Sequence, residues 1–200
     1  MAEEEISSNR GGNPKYTWDD FVAAVGKDFS GGNELVSDEV IEYSSVMRFC
    51  EPWEIGNPIY WSKQAANRLG YRGTVTPWSA IRLTFSTAGR WKPGDETHFP
   101  TPEPNASGPM HTFSEGGEEL PMPPYAYSIA TNMKIEFFEP ACVGDRLTAR
   151  GEKLVNVVLK RTRVGFGAFH TRERRIYNQR GELVARVSST SYSYNREQRG

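Results

Sequence analysis

The chain is predicted to adopt an α+β fold, a helix lying on the apolar face of a mainly antiparallel sheet. Three observations predict it. Four strand-like segments fill the last third of the sequence, with alternating or β-branched character and turn signals between them. One well-capped helical segment precedes them, from Asn57 to Gly70. Between the two lies a stretch too rich in proline and glycine for either type of element.

In chain order, residues 1–15 read as a disordered lead and 16–200 as a single domain. Thr17 is placed to cap a short helix over TWDDFVAAVGKDF, with Asp19 and Asp20 in its first turn. A second helix is expected from Ser37, with Val40, Tyr43, Met47 and Cys50 at helical spacing and Pro52 as its stop. The third helix has Asn57 as N-cap, Pro58 at its first position and Gly70 beyond its end. Trp61, Ala65 and Leu69 would share one face of it, and the Ala65-Ala66 pair would let a sheet approach closely. Residues 74–90 are apolar but mixed and carry no assignment. Residues 92–124 hold eight prolines and four glycines and read as a long irregular excursion. The strand segments are YSIATNMKIEFFEP, RLTARGEKLVNVVLK, GFGAFHTRERRIYN and ELVARVSSTSYSYN. Consecutive strands joined by such turns are expected to pair antiparallel.

Composition narrows the function classes. A net charge of −1 gives no reason to invoke nucleic acid or an anionic membrane surface. No apolar run is long enough to span a membrane, and the acidic N-terminus is unlike a secretory signal, so the cytoplasm is the expected compartment. Cys50 and Cys142 match no metal spacing; two buried free thiols are the favoured reading and a disulfide the alternative, and no metal or cofactor is expected.

Residues 48–77, RFCEPWEIGNPIYWSKQAANRLGYRGTVTP, resemble the active-site segment of MaoC-like hot-dog hydratases and dehydratases. PACVGDRLTARGEKLVNVVLKRTRVGFGAF and IYNQRGELVARVSSTSY extend the resemblance, which spans roughly residues 34–195 and is nearest to the N-terminal-half, non-catalytic type of domain. It implies a hot-dog fold: a central helix wrapped by an antiparallel sheet, acting as half of a double hot dog. It also implies acyl thioesters of coenzyme A or acyl carrier protein as substrates, and reversible addition of water across a 2,3-double bond.

That chemistry needs a group to take a proton from water at C3 and a group to give one at C2. Backbone N–H groups at the helix start would stabilise the thioester enolate. The family places an aspartate two residues before the Asn-Pro and a histidine two residues after it. Asn57 and Pro58 match; Ile55 and Tyr60 stand at the acid and base positions. Isoleucine moves no proton, and a tyrosine with an ordinary pKa of about 10 is a poor base at neutral pH. The resemblance therefore implies a subunit with no catalytic residue of its own. It would form the acyl tunnel, with Asn57, Tyr60, Thr76 and Pro77 against the substrate, while a second MaoC-like chain supplies the Asp/His pair. Two alternatives stay open: a self-sufficient homodimer using Glu54 and Tyr60 or a loop histidine, and a non-catalytic acyl-thioester-binding protein. A thioesterase is a weaker option on the same fold.

Other residues have bland and sharp readings. His98 and His111 lie in the excursion and read as exposed; His170, between Phe169 and Thr171, reads as structural. Arg172 and Arg174 share a strand face and Arg175 takes the other, which suits a solvated sheet edge or a dock for the phosphates of coenzyme A. The aromatics of 53–61 and 78–91 suit a core, an interface or a bulky acyl pocket.

Overall fold

The computed structural model describes residues 11–80, 93–94 and 117–196. Three helices, α1 (Trp18–Ala23), α2 (Tyr43–Cys50) and α3 (Lys63–Arg68), accompany five strands. These are β1 (Glu34–Val36), β2 (Tyr127–Phe137), β3 (Thr148–Thr162), β4 (Gly165–Tyr177) and β5 (Leu183–Asn195). They form one sheet in the order β1-β3-β4-β5-β2, every neighbouring pair antiparallel.

All four expected strands are present, but their pairing departs from the sequential expectation. β2 does not pair with β3; it crosses to β5, Ile135 opposite Val187 and Ser128 opposite Ser193. The Gly144-Asp145 turn is real, with Gly144 at φ 90°, but it sits in a connection running over the end of the sheet rather than in a hairpin. There Thr76 N–H donates to Ala141 O and Val143 N–H to Thr74 O, so residues 74–76 line that connection.

The sheet's inner face carries two separate apolar clusters. Val46 and Cys50 bring α2 onto Leu147, Ala149, Ile176, Val184 and Ala185 at one end, with Ile41 just before the helix in the same cluster. Phe21 and Ala24 bring α1 onto Leu154, Val157 and Ala168 at the other. Thr17 caps α1 through a reciprocal box with Asp20. The helix on the apolar face beside Ile176 is therefore α2, not the segment 57–70 that the sequence nominated. α2 also begins later than expected, at Tyr43, where Glu42 leaves extended backbone.

Residues 57–70 are not one helix. A single 3₁₀ turn covers Pro58–Tyr60, the chain straightens through Trp61 and Ser62, and α3 follows. Ser62 caps α3 by accepting from Ala65 N–H. The break is held from outside: Trp61 donates its indole N–H to Ile55 O at 2.6 Å, and Tyr43 donates its hydroxyl to Trp61 O at 2.8 Å. The Trp61 carbonyl thus has a partner outside the helical ladder. Trp61 and Leu69 are exposed and Ala66 is the buried residue, packed with Ile59, Val75 and Cys142, so the expected apolar face is corrected as well. Gly70 does end the helix, at φ 86°.

The lead's boundary moves towards the N-terminus. Asn13 N–H donates to Met122 O, and Asn13, Lys15 and Tyr16 converge on the Glu119 carboxylate. His98, His111 and Trp91 lie outside the described residues. Among the described residues, no helix is long and apolar enough to cross a membrane.

Candidate functional site

Asn57 caps the 3₁₀ turn, its side-chain oxygen accepting from Ile59 N–H at 3.2 Å. Pro58 at the first position of that turn costs no hydrogen bond. Val75 N–H then donates to Ile59 O at 3.1 Å, which lays the Thr74–Pro77 stretch beside the turn. Val75 also pairs with Cys142. The turn carrying Asn57 and Tyr60 thereby lies beside the stretch carrying Thr76 and Pro77; Asn57 is exposed and Tyr60 half-buried. Thr76 and Pro77 are buried, and the Thr76 hydroxyl has no hydrogen-bond partner. Beyond them the Trp78 ring lies 4.7 Å from that of Phe137 in β2.

Ile55 and Tyr60 are half-buried and pack against the same cluster, the one built on Val46, Cys50 and Ile176. Burial pushes the Tyr60 hydroxyl above its ordinary pKa, with smaller contributions from Cys50 and Tyr71. A tyrosine raised in this way is still less ionised at neutral pH, so less phenolate is available to act as a base. Glu54 is exposed and holds a left-handed backbone at φ 49°. Cys50 and Cys142 are free and buried, and burial raises both thiols, which leaves neither as an activated nucleophile.

Two features were not visible in the sequence. Asp145 is buried and holds the end of the sheet together. It accepts from Cys142 N–H at 2.8 Å, from both terminal nitrogens of Arg72 and from Gln179 at 3.2 Å. The second is a charged triad in the middle of the inner face, where Arg172 and Arg174 both donate to Glu152. The sequence put these arginines on one face, correctly, but a sheet edge is wrong: β4 lies between β3 and β5. Arg175 takes the opposite face, beside Glu173. The nearby His170 is buried against the Phe21 ring, with Nε2 at 3.1 Å from the Ser193 hydroxyl. Burial, helped by Arg172, lowers its pKa to about 4, so it is neutral at physiological pH.

A family model described as FAS1-like, dehydratase domain region matches residues 23–187. The chain belongs to that family. It is similar to a probable enoyl-CoA hydratase alpha subunit of Thermomonospora curvata, with 29% identity over 132 residues. That match covers 64% of this chain and 37% of the relative, so the chain spans little more than a third of the relative's length. Among solved structures it resembles the ChsH1-ChsH2 complex from Mycobacterium tuberculosis, with TM-score 0.58 and 18% identity over 90% of this chain and 95% of that one. A MaoC-like dehydratase from Rhodospirillum rubrum gives TM-score 0.50 and 17% identity over 83% and 93% of the two chains. At these identities the likeness establishes the fold, which is the hot dog.

Proposed function

We propose that this chain is the non-catalytic half of a hydratase or dehydratase acting on 2-enoyl or 3-hydroxyacyl thioesters, with a second MaoC-like chain supplying the acid/base pair. The observation that carries the proposal is the Ile55/Tyr60 pair. The segment keeps the Asn-Pro start, yet both proton-transfer positions hold side chains packed into the cluster under α2. Such a surface holds an acyl chain and excludes water; it moves no protons. Asn57, Tyr60, Thr76 and Pro77 would line that chain's path.

The need for a partner has a second support. Among the described residues β2 has β5 as its one strand neighbour, leaving an eleven-residue edge on which Ile129 is 48% exposed. A long open edge with apolar side chains is a feature that proteins cover. A second hot-dog domain pairing there would complete a double hot dog. The relative from Thermomonospora curvata, described as an alpha subunit, is in keeping with this.

The test is hydration of enoyl-CoA thioesters by the pure chain, and then by the chain with a MaoC-like partner carrying the intact Asp-x-Asn-Pro-x-His motif. The chain alone should be inactive and the pair active. Robust turnover by the pure chain, abolished by Glu54→Gln or Tyr60→Phe, would replace this proposal with a self-sufficient homodimer.

A further inference from the structure

The register of β4 with β5 is unbroken from Phe166 to Ile176, so Ala168, His170, Arg172, Arg174 and Ile176 face the same side. Ala168 lies in the cluster under α1 and Ile176 in the cluster under α2. The two arginines between them therefore stand on the inner face, where a hot-dog sheet is ordinarily apolar. The neighbouring strand continues the polar track, with Ser189 opposite Arg172 and Ser191 opposite His170. All four side chains other than His170 are partly exposed.

The charges in this patch do not balance. Glu152 is buried and meets both guanidinium groups. It sits at an irregularity in β3 and its N–H donates to the Oδ1 of the exposed Asp28, whose backbone forms an isolated bridge with Lys153. Asp28 meets the Glu152 backbone and neither guanidinium, so with His170 neutral two guanidinium groups face one carboxylate. A clamp for one carboxylate would need one arginine, because a single guanidinium meets both carboxylate oxygens as a fork. Here two arginines share one glutamate, and each spends a single described hydrogen bond on it. Arg172 and Arg174 are partly exposed, so their remaining N–H groups can reach an anion entering the inner face.

We infer that Arg172, Arg174 and Glu152 form a reader for a carboxylate at the far end of the acyl group. The preferred substrates would then be thioesters of dicarboxylic acids. This rests on the proposed function. Tyr60 packs with the cluster containing Ile176, and Arg174 lies two residues further along the strand, about 7 Å away. An acyl chain entering beside Tyr60 and running down the inner face reaches Arg174 within a few carbons. Arg174 and Arg172 would each lend a free N–H pair to the terminal carboxylate, while Glu152 holds the two forks parallel.

The assembled complex is assayed with trans-2-octenedioyl-CoA and trans-2-octenoyl-CoA, which differ only at the far end. The ratio of their kcat/KM values should favour the dicarboxylic substrate in the wild type. It should fall at least tenfold in Arg174→Met and in Arg172→Met, and less in Arg174→Lys, which keeps the charge and loses the fork. Glu152→Gln distinguishes a reader from a clamp. A reader keeps or gains preference when the competing carboxylate loses its charge, and a clamp loses it. A ratio near one in the wild type, or one that no variant changes, overturns the inference. So does a loss equal for both CoA substrates and absent with the matching pantetheine thioesters, which would mark a site for the phosphates of coenzyme A. If no assembly hydrates any enoyl-CoA, the functional proposal falls. The reader is then judged by calorimetric binding of free octanedioate to the same protein. Binding abolished in Arg174→Met sustains it, and no binding by the wild type ends it.

Discussion

Asp145 and Glu152 are both buried carboxylates held by arginines, and they differ in how completely they are satisfied. Asp145 has a backbone N–H, an amide and the Arg72 fork around it, with Arg180 at 3.5 Å. Its ring of partners ties the Cys142 turn to Arg72, and so fixes the stretch that carries Thr76. Glu152 has two arginines that it cannot saturate. A closed network rigidifies its surroundings, whereas an open one leaves hydrogen-bond donors to spare. The difference separates a structural carboxylate from one at a candidate site without reference to sequence motifs.

The comparison breaks if the two cost the same to remove. Asp145→Ala should lower stability by about 3 kcal/mol in urea denaturation, the lower end for a broken buried pair. Arg72 is 37% exposed and recovers water when its partner goes. Glu152→Ala should cost about 1 kcal/mol, since its arginines are partly exposed and recover water when it goes. Equal losses would make the triad another structural clamp.

The second prediction concerns the α1 end of the same face. His170 carries a folded-state pKa of about 4, below its ordinary 6.5. The unfolded chain therefore binds the proton more readily. The stability that His170 contributes is fully present above pH 6.5 and is lost as pH falls towards 4, reaching on the order of 3 kcal/mol. Protonation would set a charge against the Phe21 ring and beside Arg172. The wild-type minus His170→Asn difference in unfolding free energy should slope between those pH values and flatten below them. A flat difference throughout would show that His170 is solvated and that α1 packs loosely there.

How legible was this in the sequence? The four long strands were, because a period of two and the Gly/Asn turn residues are local signals. The shared face of Arg172 and Arg174 followed from the same alternation. The three-residue β1 was invisible, being too short to show any period. The β2–β5 pairing was missed because register between distant segments is decided by which faces they bury together, here Ile135 with Val187, not by the turn that follows. The site segment was found by its Asn-Pro start. Asp145 was not, since an aspartate in a Gly-Asp turn looks like any other until Arg72 folds across it. Glu152 was missed for a different reason: a bulge in β3 changes which residues face inward, and no alternation rule crosses a bulge.

The smallest expected effect tests the sharpest local error, the helix that was read as continuous from Asn57 to Gly70. Within an uninterrupted helix Ser62 would lie mid-element, and Ser62→Ala would be neutral or slightly stabilising, because alanine is the better helix former. In the structure Ser62 has extended backbone and accepts from Ala65 N–H at 3.3 Å. Removing that cap should cost about 1 kcal/mol, a loss that urea denaturation of the purified chain or its complex resolves. Asn57→Ala should cost a similar amount through the separate cap at Ile59. The two losses should add, because each cap serves its own turn and the Trp61 indole bond to Ile55 holds the joint between them. A stabilising Ser62→Ala would mean that the break closes in solution. Tyr60 would then ride on a continuous helix and leave the cluster it shares with Ile55, and the case for an acyl-lining role at that position would have to be rebuilt.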